Sequence, residues 1–311
     1  RAFYGVRPLT TKTGKHTNAI YGMINIISRQ MKELCPDYAA VAFDLKAPTF
    51  RHKMYPEYKA GRHPTPPELL SQFDDAKECL RLMGIHVLET PGYEADDIQG
   101  TVARMATDAK EPTESYILSG DRDLLQLIDD KITVLLATNK DTLVMHREEF
   151  FEKYGVESTQ FVDVKALMGD SSDNIPGVPG IGEKTALKLI SEYGSLDGVY
   201  EQLPTAKHTP SVKKKLTEGK ESAYMSQTLA RICREVPLGL TLEASQPRSL
   251  PTARDCAANA SLASITSMSL MVRPTLLNSL LEEAAGPIPM MEGSTPAEAP
   301  PMVYSMVSAP E

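Results

Sequence analysis

The chain has 311 residues, 41% of them hydrophobic and 24% charged, a composition typical of a globular protein with one large domain or a domain and a small satellite. No apolar run reaches the ~20 residues that span a bilayer, and neither a signal-peptide pattern nor CxxC spacing is found, which argues against a membrane anchor or a zinc finger and favours the cytoplasm. The net charge of −8 does not exclude nucleic acid as a ligand, because five glutamates follow Arg273 and basic residues cluster elsewhere.

Helical and strand patterns alternate between residues 16 and 200. In chain order, the expected elements are a helix over His16–Leu34, a strand over Tyr38–Phe43, a helix over 69–83, a strand over Ile85–Leu88, a helix over Glu94–Ala109, a strand over Ser115–Leu118, a helix over Arg122–Ile128, and a β pair over Ile132–Leu136 and Thr142–Met145. This alternation predicts an α/β fold with a mainly parallel, twisted sheet flanked by helices.

Three regions differ in character. Residues 1–157 carry the α/β pattern, and residues 158–242 consist of helical and turn patterns with Gly and Pro punctuation at 176–182. Residues 243–311 are rich in Ala, Ser, Met and Pro and poor in charge, so we expect a poorly ordered tail or linker there. The sequence thus predicts two structured regions followed by a tail.

Acidic residues follow the predicted strands where each strand ends. They are Asp44 after the first strand, Glu94, Asp96 and Asp97 after the second, Asp121 and Asp123 after the third, and Asp170 and Asp173 before a Pro/Gly turn. Because parallel strands end at one sheet edge, we expect most of these groups to converge. Each acid alone is also an ordinary capping or turn residue, and that alternative stays open. Together they would repel one another unless divalent cations bind, and oxygen ligands suit two Mg²⁺ or Mn²⁺ ions that hydrolyse a phosphodiester.

A glycine-punctuated turn opens a helix at residues 177–185. Gly177, Gly180 and Gly182 allow a phosphate to approach the backbone N–H groups at the helix start. Lys184 adds positive charge, and Thr185 continues the helix start. The pattern is typical of a helix–hairpin–helix that binds DNA without reading its sequence, although a plain turn between two helices is the alternative.

Basic and aromatic residues interleave in residues 50–62, here named the arch segment. Arg51, Lys59 and Arg62 could bind phosphates, and Tyr58 could stack on a base, as expected of a site for single strands. A solvated basic loop is the alternative reading of this composition.

Together and in this order, these segments resemble the 5′-nuclease family, in particular the 5′-3′ exonuclease domain of bacterial DNA polymerase I. The motifs that carry the resemblance are FD at 43–44, PTFRH at 48–52, YKAGR at 58–62, GYEADD at 92–97, SGDRDL at 119–124 and ALMGDSSDNIPG at 166–177. The resemblance covers the chain to about residue 242. It implies a PIN-like 5′-nuclease fold with a helical arch and a helix–hairpin–helix subdomain, and a Mg²⁺-dependent 5′-3′ exodeoxyribonuclease and flap endonuclease active in primer removal, replication and repair.

The resemblance also implies a role for each matched residue. Asp44, Glu94, Asp96 and Asp97 match ligands of the first metal, Asp121 and Asp123 lie between the sites, and Asp170 and Asp173 match the second. Lys59 and Arg62, with Arg51, match residues that steady the scissile phosphate, while Tyr58 and the 177–185 hairpin contact DNA and the hairpin binds K⁺. The implied partners are 5′-flap, nicked or branched duplexes, RNA primers on DNA, and a C-terminal polymerase domain in the parent protein, which is expected to be a monomer at the bacterial nucleoid.

One departure from the family concerns the beginning of the sequence. The family's first strand ends in a metal-binding aspartate that would precede Arg1, so we expect a truncated sequence whose sheet lacks a central strand. An alternative function is therefore a non-catalytic fragment that binds branched DNA. A PIN-like ribonuclease is a further alternative, but the hairpin and helix at residues 177–193 argue against it.

Overall fold

Helices and strands alternate up to residue 146, and the described residues 147–239 form helices and turns. The structure is a computed structural model and describes residues 2–109, 113–138, 141–239 and 302–307. The helices are α1 (Ala2–Gly5), α2 (Asn18–Leu34), α3 (Phe50–Met54), α4 (Pro67–Leu70), α5 (Phe73–Leu82), α6 (Ala95–Thr107), α7 (Arg147–Tyr154), α8 (Phe161–Met168), α9 (Glu183–Tyr193), α10 (Leu196–Gln202), α11 (Pro210–Glu218) and α12 (Lys220–Ala230), with 3₁₀ helices at Asp123–Leu127 and Ser158–Gln160. Within these ranges, no helix combines the length and the hydropathy that a membrane crossing requires.

The strands form one sheet. They are β1 (Tyr38–Ala42), β2 (His86–Leu88), β3 (Glu114–Ser119), β4 (Ile132–Ala137), β5 (Thr142–Met145) and β6 (Met302–Val307), arranged in the order β2-β1-β6-β3-β4-β5. β1 pairs in parallel with β2, and β3 pairs in parallel with β4, while β5 is an antiparallel edge strand. β4 is aliphatic and buried over nearly its whole length, as expected for a strand covered on both faces. The predicted α/β class is confirmed.

The centre of the sheet differs from the sequence prediction. β6 lies between β1 and β3, so the sheet has a strand at the position that we expected to be empty, and residues 302–307 are not the unstructured linker expected of this tail. Its sequence, Met-Val-Tyr-Ser-Met-Val, has the β-branched and aromatic composition favoured in strands. Residues 243–301 and 308–311 lie outside the described residues, and the prediction of a tail stays a prediction for them.

The chain divides into two compact units. The described residues of the first unit belong mainly to Arg1–Tyr38 and Thr65–Ile85, and those of the second to Ala39–Pro64 and His86–Ser245 together with most of β6. In the first unit, α2 and α5 pack through Ile20 and Ala76. In the second, the core runs from the sheet at Ile117 and Val134 to the helical region at Leu167.

The helix expected over residues 69–83 is divided into α4 and α5 near Gln72. The Gln72 side chain is 1% exposed, and its Oε1 accepts hydrogen bonds from the backbone N–H groups of Ala19 at 2.8 Å and Ile20 at 3.3 Å. The side chain of Thr17, the residue before α2, makes no capping bond. Gln72 therefore provides a hydrogen-bond acceptor for the N–H groups at the start of α2 from a distant part of the chain. Helical periodicity does not reveal this contact.

Candidate active site

The first acidic group lies at the start of α6, after β1 and β2. Asp44 Oδ1 accepts a hydrogen bond from the Ala95 N–H at 2.7 Å, so it caps α6 from the end of β1. Glu94 precedes the helix and is 6% exposed, and Asp96 lies in its first turn, where Oδ1 accepts from the Asp97 N–H at 2.7 Å. Burial and the carboxylates of Asp97 and Glu94 raise the pKa of Asp96 well above its ordinary value, against the effect of Arg51. Capping and convergence, treated as alternatives in the sequence, occur here together.

Asp97 differs from its neighbours because its carboxylate is fully occupied. Its two oxygens accept four hydrogen bonds, from Arg51 Nη1 and Nη2 at 2.8 Å each, from the Glu94 N–H at 3.1 Å and from the Cys233 N–H at 2.8 Å. A carboxylate offers about four lone-pair sites, and Asp97 is 0% exposed. Asp97 is thus a buried anion whose hydrogen-bonding capacity is filled by protein groups, and its predicted role as a metal ligand stays a prediction.

Arg51 is the matching buried cation. Besides Asp97, its guanidinium donates to Glu94 Oε2 at 3.0 Å, to the Leu229 carbonyl at 2.8 Å and to the Arg231 carbonyl at 2.9 Å, which uses all five N–H groups. The side chain is 1% exposed. Every donor of Arg51 is engaged within the protein, and its predicted contact with a scissile phosphate stays a prediction. Arg51 instead joins α3 and the start of α6 to the end of α12.

The other predicted site residues of the arch segment contact the carboxylates. Lys59 Nζ is 2.6 Å from Glu94 Oε1, and Arg62 Nη2 is 2.6 Å from Asp173 Oδ1. The Tyr58 hydroxyl lies between these two acids, 3.0 Å from Glu94 Oε2 and 3.2 Å from Asp173 Oδ2. Burial and both carboxylates raise the pKa of Tyr58, so the hydroxyl remains a donor. The arch segment therefore brings Glu94 of the first acidic group and Asp173 of the second to one place.

The second acidic group is organised around a lysine that sequence reasoning missed. Lys165 Nζ lies 2.5 Å from both Asp123 Oδ1 and Asp170 Oδ2, and its side chain is 7% exposed. Burial raises the pKa of Asp123 to about 6, a rise that Asp121 and Asp170 support and Lys165 opposes. Burial acts in the same direction on Asp170, but Lys165 and hydrogen bonds from Ser172 outweigh it and lower the pKa. A signal was present in the sequence, since Lys165 is the one cation in the apolar helix α8.

Asp121 is the exposed member of the second group. Its Oδ1 accepts a hydrogen bond from the Asp123 N–H at 2.9 Å, and its own N–H donates to Ser119 Oγ at 2.8 Å. These bonds turn the chain sharply after β3, so that Asp121 and Asp123 leave the strand end side by side. The arrangement agrees with the expectation that acids gather where parallel strands end.

The acids fit hard divalent cations by chemistry but do not form a ready-made metal site. Within the described part of the chain, no three acidic, histidine or cysteine side chains are arranged so that they could hold a metal ion. Lys59, Arg62 and Lys165 instead neutralise the carboxylates. The Lys165 ammonium is shared by the carboxylates of Asp123 and Asp170, and oxygen donors are the ligands that Mg²⁺ prefers. The ligand assignment stays a prediction.

The hairpin at residues 177–182 is built around close backbone contact. Gly177 has φ +61°, and a Cβ atom there would lie 2.3 Å from the Gly169 nitrogen, so a side chain is excluded on both counts. Gly180 has φ +79°, and its carbonyl accepts a hydrogen bond from Lys215 Nζ at 3.1 Å. Gly182 precedes α9 without a side-chain cap, which leaves the helix start accessible.

The two remaining predicted DNA-binding residues belong to the first turn of α9. Lys184 is exposed, and the Thr185 N–H donates to the Gly182 carbonyl at 3.0 Å. Beneath them, Val178 and Ile181 are 1% and 4% exposed and anchor the hairpin in the core. The hairpin therefore presents backbone and cationic groups outward from a fixed base.

Two family models together match residues 1–252. A model described as the 5′-3′ exonuclease N-terminal resolvase-like domain matches residues 1–155, and one described as the 5′-3′ exonuclease C-terminal SAM fold matches residues 156–252. The chain is 43% identical over 238 residues to the thermostable DNA polymerase I of Thermus thermophilus, a match that covers 76% of this chain and 28% of that protein. It is 42% identical over 244 residues to DNA polymerase I of Bacillus subtilis, covering 78% and 27%. The chain thus spans under a third of the length of these relatives.

Solved structures share the fold. A T5 5′-exonuclease with bound zinc superposes with a TM-score of 0.58 at 22% identity, covering 85% of this chain and 90% of that one. The catalytic core of Rad2 in complex with DNA superposes with a TM-score of 0.51 at 15% identity, covering 90% and 88%. At such identities the likeness supports the predicted fold and carries no residue roles.

Proposed function

Because the chain belongs to the 5′-3′ exonuclease family, we propose that it is a structure-specific 5′-nuclease that acts as a 5′-3′ exonuclease and flap endonuclease on DNA. The observation that carries this proposal is the meeting of acidic and cationic side chains at Tyr58, where Glu94 and Asp173 share one hydroxyl. Carboxylates paired with partly exposed cations suit metal-assisted cleavage of a phosphodiester.

We propose Mg²⁺, or Mn²⁺, as the cofactor, with two or more ions. Asp44, Glu94 and Asp96 would hold one ion, Asp170 and Asp173 the other, with Asp121 and Asp123 between them. When bound, the ions would activate the attacking water and stabilise the leaving oxygen. The T5 5′-exonuclease structure contains bound zinc, which supports a divalent cation in general.

The cations of the arch segment have a second role in this proposal. Lys59 and Arg62 are paired with Glu94 and Asp173, the same acids that would bind metal. An incoming divalent cation would compete for these carboxylates and release the two side chains, which would then neutralise the scissile phosphate. Their side chains are 18% and 23% exposed, so a phosphate could reach them without unfolding of the segment.

The hairpin would hold the duplex. Backbone N–H groups at the start of α9, together with Lys184 and Thr185, would bind phosphates without regard to base sequence, and K⁺ would bind hairpin carbonyls. We propose residues 1–157 as the nuclease region and residues 158–242 as this DNA-binding region. Substrates would be 5′-flap, nicked or branched duplexes, including RNA primers on DNA, in the bacterial cytoplasm. The length of the relatives supports a C-terminal polymerase domain in the parent protein.

A 5′-flap oligonucleotide tests the proposal. The wild type should cleave the flap with Mg²⁺ and not with a chelator, and Asp121→Ala should lose cleavage at least a hundredfold while its affinity for the flap changes little. Glu152→Ala, an exposed acid on α7, is the matched control and should cleave normally. Tight binding of the flap by the wild type without cleavage would instead support a non-catalytic module. Full cleavage by Asp121→Ala would end the site assignment.

A further inference from the structure

Two non-glycine residues with a left-handed backbone conformation lie opposite each other at the site. Lys59 has φ +59° and Asn174 has φ +55°, and the only other non-glycine residue with positive φ in the described ranges is Cys35, which ends α2. This backbone region is unfavourable for lysine, which has no local compensation there, whereas asparagine tolerates it. Unfavourable backbone conformations persist where surrounding contacts enforce them, and such positions concentrate at functional sites.

Reciprocal hydrogen bonds enforce the two conformations. The Lys59 N–H donates to the Asp173 carbonyl at 2.9 Å, and Asn174 Nδ2 donates to the Glu57 carbonyl at 2.7 Å. Each of the two loops thus gives one donor and one acceptor to the other. The Asn174 amide reaches across to the arch segment, although asparagine in a turn commonly bonds to its own backbone. We call this pair of bonds the latch.

The latch decides where the arch cations stand. Lys59 is both a latch residue and the partner of Glu94 at 2.6 Å, and Arg62, three residues later, pairs with Asp173 at 2.6 Å. The Arg62 N–H also donates to the Lys59 carbonyl at 3.1 Å, so a shift of Lys59 would carry Arg62 with it. The Asn174 side chain donates its hydrogen bond to a backbone carbonyl of the arch segment.

We propose that Asn174 is a positioning residue, which fixes the base of the arch segment to the turn of the second acidic group and so sets the place of Lys59 and Arg62. This inference rests on the proposed nuclease function for its catalytic consequence, but the latch itself is a property of the fold. It assigns to the amide of Asn174 a task distinct from metal or DNA binding.

Three substitutions separate the amide from the backbone conformation. Asn174→Gly keeps the left-handed conformation and removes the donor, Asn174→Ala removes both, and Asn174→Asp keeps the shape but turns an acceptor towards the Glu57 carbonyl. Ser171→Ala, an exposed residue of the same turn, is the matched control.

The first readout is hydrogen exchange at the Lys59 amide, which requires no catalysis. Loss of one hydrogen bond should speed this exchange roughly fivefold in all three variants, with Asn174→Gly the mildest, and leave Ser171→Ala unchanged. Unchanged protection in Asn174→Gly and Asn174→Asp would overturn the latch.

The second readout is flap cleavage with Mg²⁺. We expect kcat to fall at least fivefold in Asn174→Ala and Asn174→Asp with KM within twofold, because the arch cations act on the phosphate after binding. Lost protection with unchanged kcat would overturn the positioning role. If the wild type does not cleave, the proposed function fails and the positioning role in catalysis fails with it, while the exchange data decide on the latch alone.

Discussion

The buried Arg51–Asp97 pair should make a large and measurable contribution to stability. Arg51→Met keeps much of the apolar stem but leaves the Asp97 carboxylate, 0% exposed, with two of its four hydrogen bonds. Removal of one partner from a buried ion pair costs about 3–5 kcal/mol. Since 1 kcal/mol shifts the melting temperature of a domain this size by about 2–4 °C, the variant should melt roughly 6–20 °C below the wild type.

Urea denaturation of the two single variants and the double variant tests this reasoning. Asp97→Asn should be destabilising, and Arg51→Met with Asp97→Asn together should cost less than the sum of the single changes, because the second change removes the uncompensated charge. Arg81→Met is the control, since Arg81 and Glu78 are 3.9 Å apart on the surface with more than half of each side chain exposed, and its loss should cost under about 1 kcal/mol. An Arg51→Met cost no larger than the control, with additive energies in the double variant, would refute the structural role of the pair.

Three further predictions concern the second acidic group and the hairpin. Lys165→Met should lower the free energy of unfolding by about 1–3 kcal/mol in the presence of a chelator, because two acids lose their shared cation. Mg²⁺ should raise the melting temperature of this variant more than that of the wild type. An equal rise in both proteins would contradict the idea that the Lys165 ammonium takes the place of a bound metal ion. Burial raises the pKa of Asp123 to about 6, so a proton competes with a metal ion for this carboxylate below that pH. The Mg²⁺ affinity measured by calorimetry should therefore fall about tenfold from pH 7 to pH 5. The fall should be smaller in Asp123→Asn. Gly177→Ala would place its Cβ 2.3 Å from a backbone nitrogen and should prevent folding as judged by circular dichroism, whereas Gly194→Ala, at φ +81° with open space, should cost only about 1–2 kcal/mol.

The α/β alternation could be predicted from the sequence because the patterns that indicate helices and strands are both local. Strand β4 is mainly aliphatic and buried, and α6 follows Glu94 with an acidic first turn, so composition and capping chemistry place both elements. The acids after β1 and β2 could be assigned to one edge because these two strands are parallel and end together.

Side-chain partners could not be predicted in the same way. Arg51 bonds to the carbonyl of Leu229, 178 residues away, and Asp97 accepts from the N–H of Cys233, 136 residues away. Nothing in the local pattern distinguishes Asp97 from Asp96, yet Asp97 accepts two hydrogen bonds from a buried guanidinium and two from backbone N–H groups, whereas none of the five guanidinium donors goes to Asp96. Motif resemblance gives residue types and order, whereas the division between structural and reactive carboxylates depends on which cation reaches which oxygen after folding.

The near contact of Gly169 with Gly177 has a mechanical consequence. The seven residues between them form a loop pinched at its neck, and this loop carries Asp170 and Asp173 at one end of the hairpin. Nucleic acid bound to the hairpin would thus lie at a constant distance from these two carboxylates, even if other segments moved. The distance along the nucleic acid between the hairpin contact and the cleavage position would then depend on the length of this loop.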